Sequence, residues 1–236
     1  MKIRSPREKQ AGFTLMELLT VIAVIGILTA FTIPVLRGVQ RSAKISRVKA
    51  ELQQVETALE NYKSRYGFYP PSNSSGSAAA LFNPLYYELS GVTNVMVDSK
   101  PCYQTFSAES TVGTEFYTHL FNLGGVVNCS KAGGGEDAAP AKNFLPALKP
   151  NQVGALPITN SYGGFTVNFL STSVGGPDTA YQPMGIPGLN PFRYVAPSST
   201  NNNVNGYDLW VQLVIGGKTN LICNWSSTVI LNSPLP

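Results

Sequence analysis

Charge is scarce in this chain of 236 residues: Asp, Glu, Lys and Arg together make up 13% of it. Its polar surface must come from Ser, Thr, Asn and Gly, which suits a protein working outside the cytoplasm. Histidine occurs once, at His119, within Tyr117-Thr118-His119-Leu120-Phe121. No Ser, Cys or acid stands at a recognisable motif spacing from it, so an ordinary hydrogen-bonded histidine is the reading, no catalytic constellation emerges and the chain is read as a non-enzyme. Cysteine is also rare: Cys102, Cys129 and Cys223 lie far apart and, with a single histidine, do not make a metal-ligand set. In an oxidising compartment at least one of the three is left over, and a Cys102 to Cys129 bridge is the first expectation, although spacing alone does not establish the pairing. Glu136-Asp137, beside Gly133-Gly134-Gly135, reads as a solvated pair in a surface loop whose glycines are not followed by the Lys and Ser/Thr of a phosphate cradle. The formal charge of +4 resides mostly in the first twelve residues, and beyond them basic and acidic side chains nearly balance. Nucleic acid therefore has no electrostatic case as a partner, and no cofactor is implied.

Between Leu18 and Leu36 charge is missing altogether. As a helix these residues span roughly 28 Å at about 1.5 Å per residue, close to the ~30 Å hydrocarbon core of a bilayer. One carboxylate, Glu17, sits at the edge of that stretch, where an unpaired charge is costly and calls for a positive partner. Lys2, Arg4, Arg7 and Lys9, against Glu8 alone, precede it and end in the small pair Ala11-Gly12. A cut after Gly12 would free an amine on Phe13, four residues before Glu17, and a neighbouring copy shifted along the axis could present that amine to this carboxylate. The charge then sets an assembly register.

The basic leader, Gly12 and Phe13-Thr14-Leu15-Met16-Glu17-Leu18-Leu19 resemble the class III signal of type IV pilins and type II secretion pseudopilins. The resemblance implies that a prepilin peptidase cuts after Gly12 and methylates Phe13, that Glu17 guides docking, and that the helix opens near Pro34, with Gly26 as a second soft point. It also implies a cytoplasmic leader, a single pass through the bacterial inner membrane and a periplasmic body; Arg37, Arg41, Lys44, Arg47 and Lys49 after the span leave charge bias undecided on orientation. An ordinary secretory signal is one alternative, but its apolar region would be too long, no clear A-x-A site follows and Glu17 would be unwelcome in it. A plain signal anchor explains the length but neither Gly12 nor Glu17.

The expected organisation is a leader over 1–12, a transmembrane and assembly helix over 13–36, an amphipathic helix over 37–67 and a globular head over 68–236. Ile45, Val48, Leu52, Val55, Leu59, Tyr62 and Tyr66 recur at steps of three and four and predict one buried stripe. Gly67 and Pro70-Pro71 stop the helix. A short helix within 78–89 is expected, and residues 90–164 show no clean period. Strand signals follow in Phe165 to Leu170, Phe192 to Val195, Tyr207 to Ile215, Thr219 to Trp225 and Thr228 to Leu231, with Gly216-Gly217 as a hairpin turn. The fold class is α+β: a long N-terminal helix on a small antiparallel sheet over about 164–231, with a long loop-rich insertion over about 72–189.

Asn190-Pro191-Phe192-Arg193-Tyr194, Tyr207-Asp208-Leu209-Trp210 and Ile222-Cys223-Asn224-Trp225 look like the order of words in major-pseudopilin-type subunits. That family binds calcium in the loop after the Tyr-Asp-Leu word through acidic residues; here the loop reads Val214-Ile215-Gly216-Gly217-Lys218, so the site is not carried over. Asp208 reads as a strand-end or turn residue. The resemblance implies a structural subunit of a periplasmic type II secretion filament that drives protein export, with further copies of itself, a prepilin peptidase, an inner-membrane assembly platform and other pseudopilins or pilins as partners. A type IV pilus subunit for adhesion, motility or DNA uptake is the second reading, and a signal-anchored binding protein or hydrolase the third.

Overall fold

The computed structural model describes residues 12–73, 79–130, 140–174, 182–215 and 217–234, with backbone alone for 31–37. In chain order the elements are α1 (Leu15–Tyr66), α2 (Leu85–Ser90), β1 (Val92–Val97), β2 (Lys100–Thr105), β3 (Thr111–Gly113), α3 (Thr114–Phe121), β4 (Cys129–Ser130), β5 (Val153–Asn160), β6 (Gly163–Leu170), β7 (Arg193–Val195), β8 (Asp208–Ile215), β9 (Lys218–Cys223) and β10 (Ile230–Leu231). The chain divides into an N-terminal unit ending at Lys44 and a head from Ile45 onward.

Apart from Glu17, α1 is apolar on every side from Leu15 to Ala30: Leu15, Met16, Leu18, Leu19, Val21, Ile22, Val24, Ile25, Ile27 and Leu28 are all exposed. The two hydroxyls of that stretch bond backward to the helix, Thr20 Oγ1 to the Glu17 carbonyl and Thr29 Oγ1 to the Ile25 carbonyl, so beyond Glu17 no side-chain polar group interrupts its surface. Among the described residues no helix is long and apolar enough to cross a membrane. The charge-free run with described side chains reaches only from Leu18 to Ala30, about 20 Å of helix; the rest of the run expected to span, 31–36, is described in backbone alone.

In the head the periodic stripe of α1 becomes the core. Val48, Leu52, Val55, Leu59 and Tyr62 are buried, with Ile45 and Tyr66 at its margins. The helix stops where Gly67, at φ +83°, donates its N–H to the Lys63 carbonyl (2.7 Å), a left-handed cap that glycine adopts without strain. The C-terminal sheet is antiparallel throughout, in the order β10-β9-β8-β7. Leu209, Val211 and Leu213 point from β8 into the core, as their alternation predicts. The head is thus α+β, a helix stripe laid against antiparallel strands.

Among the described residues, much of the segment expected to be irregular is built of strands. Over 92–130 it forms a four-stranded sheet in the order β3-β2-β1-β4, antiparallel except for β4, which runs parallel to β1. β5 and β6 form a separate hairpin, so the first of the expected C-terminal strands pairs inside the insertion instead. The expected helix over 78–89 shrinks to α2, since Asn83 and Pro84 form its turn: Asn83 Oδ1 accepts the Leu85 N–H, and its Nδ2 donates to the Ala80 and Phe192 carbonyls.

The register also corrects the disulfide expectation, because all three cysteines are free. Cys102 lies opposite Val95 on one side of β1, and Cys129 opposite Val92 on the other. Two strand spacings, about 10 Å, separate their strands, against the ~7 Å Cα limit of a disulfide. Val92 and Val95 are an odd number of residues apart, so the two thiols also project from opposite faces.

Candidate assembly site

The first turn of α1 is built by a reciprocal cap. Thr14 precedes the helix and Glu17 occupies its third position. Thr14 Oγ1 accepts the Glu17 N–H (3.2 Å), while Glu17 Oε2 accepts both the Thr14 N–H and the Thr14 hydroxyl, each at 2.8 Å. This capping box satisfies donors that a helix start otherwise leaves open and places the carboxylate at the positive end of the helix dipole. Both bonds fall on Oε2; among the described residues no donor reaches Oε1.

Phe13 is 86% exposed, and a Cβ added at Gly12 would meet nothing within 4 Å. Packing does not require a glycine there. The same holds at Gly26, in mid-helix, where glycine costs about 1 kcal/mol relative to alanine. The helical backbone continues through Gly26 and Pro34, whose side chain lies outside the described residues, as do Gly133 to Gly135, Glu136 and Asp137. His119 is exposed on α3 and stacks on Tyr162 with ring centroids 3.9 Å apart, so an aromatic contact replaces the hydrogen bond expected of it.

Two acids that no motif singled out anchor the head to α1. Glu51, on the buried face, accepts the Thr172 hydroxyl (2.9 Å), the Ser173 N–H (3.0 Å) and the Ser173 hydroxyl. Glu88, fully buried on α2, accepts the Tyr62 hydroxyl (2.9 Å) and the N–H groups of Val127 (2.9 Å) and Asn128 (3.1 Å). The signal was a lone acid inside the apolar words Leu85-Tyr86-Tyr87-Glu88-Leu89 and beside Val48 and Leu52, which apolar periodicity passes over. Among the described residues, no three of His, Cys, Asp and Glu stand together as a metal site.

Residues 7–33, which contain this turn and the apolar helix, match the prokaryotic N-terminal methylation motif. The chain carries that motif, and it is similar over part of its length to type II secretion and type IV pilus subunits. Similar proteins include the type II secretion system core protein G of Escherichia coli K12, 36% identical over 66 residues that cover 28% of this chain and 46% of that protein. The fimbrial protein EcpB of Eikenella corrodens is 46% identical over 59 residues, covering 25% of this chain and 37% of that one. The type IV major pilin protein PilE of Neisseria gonorrhoeae is 34% identical over 71 residues, covering 30% and 42%. The chain thus spans about half the length, or less, of these curated relatives. No solved structure gives a match. The motif match covers residues 7–33, and each of these relatives matches less than a third of the chain.

Proposed function

We propose that the chain is a pseudopilin, a non-enzymatic subunit stored in the bacterial inner membrane and polymerised into a periplasmic type II secretion filament that drives protein export. The observation that carries this reading is a first stretch of α1, Leu15 to Ala30, apolar on every side, with its one carboxylate, Glu17, fixed at the first turn. Such a helix needs cover all round, from lipid before assembly and from other copies of itself afterwards. Cleavage after Gly12 by a prepilin peptidase gives Phe13 a free amine, and Glu17 Oε1 is open to the amine of a neighbouring copy. The leader is cytoplasmic, the helix passes the membrane once through Leu36, and the head is periplasmic. Pro34, which lacks an N–H, and Gly26 are the points where α1 yields as subunits pack. An inner-membrane assembly platform and other pseudopilins or pilins are the further partners. The similarity to EcpB and PilE favours a second reading, a subunit of a type IV surface pilus.

Mass spectrometry of the native N-terminus tests the processing step: the chain begins at methylated Phe13, and a mature protein retaining its first twelve residues overturns the reading. Glu17→Ala leaves cleavage and head folding intact but abolishes or slows filament assembly; wild-type filament levels would refute the pairing. Short filaments confined to the envelope separate the first reading from long extracellular fibres, which belong to the second.

A further inference from the structure

The loop from residue 196 to 207, between β7 and β8, is closed by amides around one acid. Asp208 is 5% exposed. Its Oδ2 accepts the Asn202 N–H (2.8 Å) and Asn202 Nδ2 (2.9 Å), and its Oδ1 accepts the Asn203 N–H (2.9 Å). Asn201 Nδ2 ties the loop ends together by donating to the Ala196 carbonyl (3.0 Å) and the Gly206 carbonyl (2.7 Å). Asn203 Nδ2 donates to the Tyr207 carbonyl (3.0 Å), and Asn224, at the end of β9, clamps the same strand start through the Leu209 N–H and the Tyr207 carbonyl (both 3.0 Å). Val204 stands 71% exposed at the tip, next to Asn205 at φ +61°.

Calcium, which the family resemblance associates with this part of the sheet, does not fit these residues. It needs about six to eight oxygen ligands, carboxylates commonly among them. The segment after β8 is a tight hairpin, with Ile215 paired to Lys218 and no acid between them. Asp208, the acid at the other end of that strand, is already surrounded by three N–H donors whose positive ends would repel a cation.

We propose that Asp208 organises this loop alone, as an internal anion held by amide donors, so that the head folds and presents Val204 without any divalent cation. Charge-assisted bonds to an ionised acceptor are about twice as strong as neutral ones, and three of them converge here.

The test uses the full-length chain in detergent, with amide exchange read by mass spectrometry and melting read by Trp210 and Trp225 fluorescence, each in calcium chloride and in EDTA. Protection of the Asn202 and Asn203 amides and the melting midpoint are expected to be the same in both media. Asp208→Asn turns one acceptor into a donor facing those N–H groups; it should remove the protection and lower the midpoint by about 5 °C or more. Asn202→Ala, which deletes one side-chain donor, serves where Asp208→Asn does not fold, and lowers the midpoint by about 2–4 °C. A midpoint or protection in the wild-type chain that rises with calcium overturns the proposal. Unchanged protection in every variant that folds overturns it equally.

Discussion

Glu88 is an acid met by three hydrogen-bond donors, none of them a cation, so its chemistry is set by burial. Burial raises its carboxyl above the ordinary value, and the N–H groups of Val127 and Asn128 and the Tyr62 hydroxyl, which favour the charged form, recover only part of the shift. A carboxyl that binds its proton more tightly in the folded than in the unfolded head contributes most to stability at low pH. That contribution falls as pH rises from the unfolded value, near 4.5, through the higher folded value, and is constant above it. Urea midpoints of the wild-type chain should accordingly contain a declining component over that window, absent from Glu88→Gln. The variant should also be less stable above the window, by about 1–3 kcal/mol, because its amide meets N–H donors where an acceptor is required. Tyr62→Phe removes one donor and should cost about 1 kcal/mol while moving the declining component to higher pH. Nothing in local sequence pattern predicts this cluster, because Tyr62, Glu88 and Asn128 are brought together from three distant segments.

At the scale of elements, legibility follows how local the pairing is. The stripe of α1 and the alternation of β8 were readable because each element carries one apolar face at one period. β1 reads Val92-Thr93-Asn94-Val95-Met96-Val97, apolar and polar on both faces, and β4 is two residues long with a parallel partner, so neither carries a period to detect. The β5 and β6 hairpin shows how closely the insertion packs on itself. A Cβ at Gly154 would lie 1.8 Å from Leu189 Cδ1, and Leu189 is itself buried. Gly154→Ala should therefore destabilise the head by about 1–3 kcal/mol through overpacking. Adding Leu189→Ala should return part of that loss, and a double-mutant cycle read by urea unfolding measures the coupling; strictly additive costs would show that the two do not share the space.

For the whole molecule, the division is between a segment whose chemistry is contiguous and a head whose chemistry is not. Gly12→Val should block cleavage while leaving the melting of the head unchanged, since its new side chain meets nothing; gel mobility of the unprocessed form and circular dichroism check the two halves of that statement. Thr14→Ala removes the hydroxyl that both donates to Glu17 and accepts its N–H, so the first turn should fray, visible as faster amide exchange at residues 15–17. The amino-acid sequence by itself determined the proposed cleavage point, the apolar stretch and the acid at its edge, because those features are neighbours in the chain and need only helical geometry to act together. Tertiary structure alone decided the strands of the insertion, the separation of Cys102 from Cys129, the buried Glu88 cluster and the amide-held Asp208 loop. Each of these depends on which strand lies beside which and in what register, a choice made by non-local burial and hydrogen bonding that no local period records.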